Sequence, residues 1–222
     1  MMRSPFAPLP LLLFIFILSF LLVFVQLGML TVAFEKLGVS SELGFILLFG
    51  SLFGSSINLP LFTIRAEPPS QPPVLPFWGL LRPPQQPFTG KTIIAVNLGG
   101  CVIPVAFSLF LLLNRPVELG QSLLAIGLVS VVCFLASRPI HGLGIGMPVF
   151  VAPVTAAITA VIIDAEVSAP LAYIGGTLGV LIGADLLRLG DIRKMGTPFA
   201  SIGGAGTFDG IFITGIVAVL LT

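Results

Sequence analysis

The chain has 222 residues, of which 56% are hydrophobic and 9% charged, with a net charge of +1. A soluble domain carries about 25% charged residues to cover its surface, so water is a poor solvent for this one and lipid a good one. The near-zero net charge excludes nucleic-acid binding by bulk electrostatics. With His141 as the only histidine, haem and His-rich metal centres lack ligands, and neither a metal nor a cofactor is expected. Cys101 and Cys133 lie in apolar runs and read as small buried thiols.

In chain order, apolar runs of membrane-spanning length predict seven helices, at 11–34, 43–64, 92–114, 122–137, 146–163, 170–189 and roughly 200–221. The fold class expected is all-α: one polytopic transmembrane bundle over residues 1–222, with the lipid bilayer as its main partner. The first run is too long for a signal peptide and lacks a small-x-small cleavage site before Glu35. Arg3, Arg65, Arg82, Lys91, Arg138, Arg188, Arg193 and Lys194 fall at the N-terminus and in the even loops. The other side holds only Lys36 and Arg115, against five acids. The positive-inside rule then places the N-terminus in the cytosol and, with an odd span number, the C-terminus outside.

Residues 65–91 form one Pro-rich cytosolic loop with eight prolines. Such a segment is expected to be extended. Its apolar middle, 74–81, contains Trp78 and suits the membrane interface; a protein partner at this loop is the alternative. In the sixth run Gly175, Gly179 and Gly183 recur every four residues, making a smooth ridge for a neighbouring helix. Gly142, Gly144 and Gly146 read as a loop entering a helix rather than a phosphate cradle, because no Gly-Lys-Ser/Thr follows.

Two acids lie inside apolar runs, Asp185 in the sixth and Asp209 in the seventh. An ionisable group at membrane depth is expensive unless paired, hydrated or neutral, which makes it a candidate for function. If the two carboxyls meet they share a proton: one activates water while its protonated partner polarises a carbonyl. Asp185 and Asp209 are therefore the candidate catalytic pair, for hydrolysis of a transmembrane peptide. Gly204, Gly206 and Thr207 support it, with backbone pliable enough to admit water and a stretched substrate. Two structural readings stay open: Asp185 can pair with Arg188 three residues on, and Asp209 can sit in a first helical turn capped by Thr207. Asn58 and Asn97 make a second candidate, a polar membrane site that either holds an ion or has the two asparagines bind each other across helices.

The motifs Ala95-Val-Asn-Leu-Gly-Gly100 followed by Pro104, Gly183-Ala-Asp185-Leu, and Ser201-Ile-Gly-Gly-Ala-Gly-Thr-Phe-Asp209-Gly resemble an uncharacterised membrane family of bacteria and archaea, a domain of unknown function. The resemblance runs along nearly the whole chain and implies a prokaryotic cytoplasmic (inner) membrane protein. A more distant, topological resemblance is to the GxGD intramembrane aspartyl proteases, the presenilin and signal peptide peptidase group. It implies that Asp185 and Asp209 are catalytic. This chain departs from that group in having Thr207 and Phe208 between Gly206 and the acid, Ala184 where tyrosine is expected, and no later span with a Pro-Ala-Leu motif. Three functions are therefore in view: an aspartyl protease-like hydrolase, a small transporter or ion- and proton-binding protein, and a membrane scaffold or assembly factor. The substrate and the oligomeric state are not written in the sequence.

Overall fold

The computed structural model describes residues 16–21, 28–67, 90–140, 144–193, 195–204 and 210–222, with backbone only at 210, 212 and 213. The fold is mostly helical. The helices are α1 (Met29–Lys36), α2 (Ser41–Gly54), α3 (Ile103–Asn114), α4 (Leu119–Ala136), α5 (Val151–Ile163), α6 (Ser168–Val180), α7 (Leu189–Ile192) and α8 (Gly210–Leu221), and the chain also forms a small three-stranded sheet. Its strands are β1 (Asn58–Arg65), β2 (Lys91–Asn97) and β5 (Phe199–Ile202), in the order β1-β2-β5. β1 pairs antiparallel with β2, and β2 parallel with β5. A second pair, β3 (Arg138–Ile140) and β4 (Gly144–Gly146), forms a short antiparallel ribbon. Two π-helical segments interrupt the bundle, Leu98–Val102 and Leu181–Leu186.

The all-α expectation is corrected at three runs. Run 43–64 is a helix only as far as Gly54 and continues as β1; run 92–114 begins as β2; run 200–221 begins with β5. Hydropathy alone does not separate a buried strand from a helix, and here local chemistry decides. Thr63-Ile64 and Thr92-Ile93-Ile94 are rich in β-branched residues, which are stiff in helices and fit a pleated surface. Pro60 removes a donor and sits on the edge strand, next to a register shift between Pro60 and Phe62. Gly144 and Gly146, expected in a loop entering a helix, lie instead in a strand, β4, and Gly142 is outside the described residues.

Helix α6 is the axis of the bundle. It is buried along nearly its whole length, with Leu171, Ala172 and Tyr173 fully enclosed. The glycine ridge works as the sequence suggests. A Cβ on Gly175 would stand 3.1 Å from that of Ala125, and one on Gly179 would stand 2.6 Å from that of Val129, both on α4. One on Gly183 would meet the carbonyl of Ser130 and stand 3.0 Å from the Cβ of Cys133. Gly215 of α8 serves the same purpose against the Tyr173 ring, which also meets Phe107 edge-on at 4.9 Å. Cys133 is buried and Cys101 half-buried, and both are free thiols.

The outward faces are apolar where a soluble protein would be charged. Leu113, Leu135, Phe150 and Ile162 are each more than 70% exposed, on α3, α4 and α5 or at their ends. Two helical stretches, Leu119–Ala136 and Ser168–Ile192, are long and apolar enough to cross a membrane. The pair α1 and α2, bent by 107°, makes a third if it counts as one broken span.

The end of α5 is fastened by an ionisable group. Asp164 accepts hydrogen bonds from Gln121 Nε2 at 2.9 Å and from the Glu166 N–H at 3.0 Å. The Gln121 bond, followed by the backbone bonds, holds this exposed carboxyl below the usual carboxylate range. Because its folded pKa is depressed, Asp164 contributes stability above the ordinary carboxylate pKa. That contribution is lost as pH falls through the folded value. Thermal melts of Gln121→Leu across acid pH should show a smaller drop in Tm than the parent chain.

Candidate functional site

The site is assembled where the three strands run into the two π-helical segments. Asn97, the last residue of β2, is fully buried. Its side-chain amide donates to the Ser55 carbonyl at 2.6 Å and to Asn58 Oδ1 at 3.0 Å, while its Oδ1 accepts the Gly100 N–H at 2.7 Å. Asn58 Oδ1 also accepts the Ser201 hydroxyl at 2.6 Å. One amide therefore ties the end of α2 to β1 and to the first π-helical turn, and Asn58 extends the tie to β5. The two asparagines meet, but across paired strands rather than across helices. Replacing Asn97 with leucine would take the side-chain partner from the Ser55 carbonyl and the Gly100 N–H and one of two bonds from Asn58, and should cost about 3 kcal/mol. A lowered Tm for Asn97→Leu in detergent checks this.

Glycines make the close approach possible. Ser51 donates its hydroxyl to the Gly99 carbonyl at 2.6 Å. A Cβ built on Gly54 would lie 3.0 Å from the Gly99 backbone nitrogen. Helix α2 and the first π-helical segment thus touch backbone to backbone.

Asp185 lies in the second π-helical segment. A π-helical insertion adds a residue to the turn and re-aims the side chains after it, and such insertions recur at functional sites. Asp185 Oδ2 accepts the N–H of Gly203 at 2.7 Å. Gly203 follows β5 directly and has a φ of 82°, with Gly204 next at 95°. A side chain on Gly203 would be blocked, since its Cβ would stand 2.7 Å from Cys101 N and Cβ. The chain leaving β5 is thus wedged between both π-helical segments, packed on the first and bonded to the carboxylate of the second.

Arg188 is engaged elsewhere. It forms an ion pair with Asp191 at 3.0 Å, donates to the carbonyls of Phe134 and Ser137 at 2.7 and 2.8 Å, and lies over the Phe134 ring at 4.2 Å. It clamps the end of α4 to the turn after the second π-helical segment. Of the other candidates, Gly204 continues the wedge, while Asp209, Gly206 and Thr207 lie outside the described residues, as does His141. Sequence reasoning passed over the Gly203 N–H, Ser201 and the Ser55 carbonyl. The Gly203-Gly204 pair was the available signal, since adjacent glycines permit left-handed backbone and close approach.

The chain is mostly helical, with stretches long and apolar enough to cross a membrane, a buried polar junction and an acid at a helix break. Residues 52–221 match the family described as "Protein of unknown function (DUF1614)". The chain belongs to that family. Neither a curated protein nor a solved structure matches it.

Proposed function

We propose that this protein is an intramembrane aspartyl protease-like hydrolase in which Asp185 and Asp209 act together on a transmembrane peptide. One observation carries the reading. Asp185 sits at a helix break and is held by the N–H of Gly203, on the segment that leads within a few residues to Asp209. Asp209 follows Gly203 by six residues along the chain, and in this reading that short segment returns it to Asp185. Among the described residues the strand before that segment, β5, pairs with β2 on one side only, so its other edge is the end of the sheet. A peptide bond in a membrane helix is shielded by the helix, and cleavage needs an extended stretch. A strand edge offers main-chain hydrogen bonds to such a stretch.

In the reaction, the ionised aspartate takes a proton from water as its oxygen attacks the scissile carbonyl carbon. The protonated partner donates to the carbonyl oxygen, giving a tetrahedral diol. On collapse the C–N bond breaks, and the aspartate protonated in the first step gives its proton to the leaving amine. A diol hydroxyl gives its proton to the other aspartate as the carboxylic acid forms, and the pair again holds one proton. The proposal includes the topology read from the cations: seven membrane segments, N-terminus in the cytosol, C-terminus outside, in a prokaryotic cytoplasmic membrane. The three strand-bearing segments are then mixed helix-and-strand elements rather than continuous helices.

The test uses proteoliposomes containing the purified chain and a set of single-span peptides bearing helix-destabilising residues. Cleavage by the parent chain and its loss in Asp209→Asn, with insertion and Tm unchanged, is the expected result. Cleavage that survives Asp209→Asn would overturn the reading.

A second reading, a proton- or cation-binding carrier, draws on the two π-interrupted helices, because broken helices line midplane ion sites in transporters. A pH-driven flux lost in Asp185→Asn, without peptide cleavage, would favour it.

A further inference from the structure

The hollow beside the sheet, away from the Asn97 junction, has chemistry that the hydrolase reading does not use. A cavity of about 430 Å³ lies between the sheet and α7. Its walls are Phe62, Ile64, Ile94 and Leu189, and its lining also includes Glu67 and Arg193. Phe62 and Ile94 are register partners on β1 and β2, and Ile64 lies two residues along β1, so all three share one face of the sheet. The Glu67 N–H donates to the Arg193 carbonyl at 2.8 Å, which fixes the two charged residues side by side. Both are exposed, and among the described residues neither forms an ion pair. Two opposite charges thus stand together over an apolar floor, each with its hydrogen-bonding capacity open.

We propose that this cavity binds an aminophospholipid. Arg193 takes the phosphate, Glu67 takes the primary ammonium, and the first carbons of the acyl chains lie on Phe62, Ile64 and Leu189. Charge complementarity selects a zwitterion, since a purely anionic headgroup would meet Glu67 as well as Arg193. The guanidinium fork matches phosphate oxygens, and a primary ammonium donates hydrogen bonds to a carboxylate where a quaternary one does not. Position selects a lipid. Arg193 follows directly on the stretch Ser168–Ile192, which is long and apolar enough to span a bilayer, so the cavity lies at its polar boundary. Leu186 and Leu187, one turn before α7, are exposed and apolar where acyl chains would run. The volume falls within the range of small-molecule sites, about 300–1,000 Å³.

The experiment titrates the full chain, purified in mild detergent, with short-chain phosphatidylethanolamine, phosphatidylcholine, phosphatidylglycerol and soluble glycerophosphoethanolamine, with bound species counted by native mass spectrometry. The ethanolamine lipid should bind about tenfold more tightly than the other three, the step a charge-assisted hydrogen bond supplies. Arg193→Gln should weaken all the phospholipids by about the same factor. Glu67→Gln should erase the preference for ethanolamine over both choline and glycerol headgroups while leaving phosphate binding in place. Arg193→Lys and Glu67→Asp, which keep the charges, should retain most of the binding and control for damage to the fold. Equal binding of the three lipids, or variants that bind like the parent chain, would overturn the proposal. Soluble headgroup binding as tightly as the lipid would overturn it too, and would point to a free metabolite.

Discussion

Asp185→Asn is expected to reduce peptide cleavage by about a thousandfold or more while leaving the fold intact. The amide keeps an oxygen that can accept the Gly203 N–H, so the 2.7 Å bond joining the second π-helical segment to the chain after β5 survives. What is lost is the ability to take a proton from water. A general base contributes about 10²–10⁴ in rate, and in a proton-sharing pair the loss of either member removes the function of both. Asp185→Asn and Asp209→Asn should therefore be equally inactive, and the double variant no worse. Single-turnover cleavage in proteoliposomes, read beside Tm, checks this non-additivity. A merely structural Asp185 would instead show a lowered Tm and cleavage restored in proportion to refolded protein.

The second large effect concerns stability. Gly99→Val should destabilise the chain by about 3 kcal/mol and should lower the folded yield. A Cβ at Gly99 would run into the Ser51 carbonyl and the Ser55 nitrogen and stand 2.8 Å from the Gly54 carbonyl carbon. All of these are backbone atoms at the end of α2, which cannot turn aside as a side chain could. The displacement would also break the Ser51–Gly99 hydrogen bond and pull on Asn97. Gly120→Ala is the contrasting case. It lies in the first turn of α4 with nothing within 4 Å of its Cβ position, so alanine there should leave Tm unchanged or raise it. Parallel melts of the two variants separate a packing glycine from an incidental one.

Particular residues explain which parts of this fold were legible beforehand. The stretches Leu119–Ala136 and Ser168–Ile192 were readable because their apolar runs reach membrane-spanning length, the second despite Asp185 and Arg188 near its end. The ridge of Gly175, Gly179 and Gly183 was readable because four-residue spacing has one geometric meaning on a helix. The sheet was not, since β1, β2 and β5 lie inside runs whose mean hydropathy equals that of a helix. Their identity depends on pairing between residues 26 to 106 positions apart, such as Ile94 with Phe62 and with Ala200. Local hints existed in Pro60 and the Thr-Ile clusters, but tertiary pairing makes them strands.

At the site, Asp185 stood out as an acid at membrane depth, whereas its partner did not. The Gly203 N–H belongs to the backbone, and no residue type announces it. Arg188 was a plausible partner by spacing, and its ion pair went to Asp191, equally distant along the chain on the other side. Spacing of three permits both pairings, and only the π-helical turn at Leu181–Leu186 breaks the tie.

The most direct test of the aspartate pair needs no substrate. With Cys101 and Cys133 replaced by alanine, Asp185→Cys and Asp209→Cys are combined in one chain, which is then treated in membranes with a short bifunctional thiol reagent. A dyad sharing a proton needs its carboxyls on the order of 3–6 Å apart, and thiols at those positions should cross-link rapidly and in high yield. Efficient cross-linking, absent from either single-cysteine chain, is the result predicted. Two thiols that react fully with a monofunctional reagent yet do not join would contradict the dyad, and the hydrolase with it.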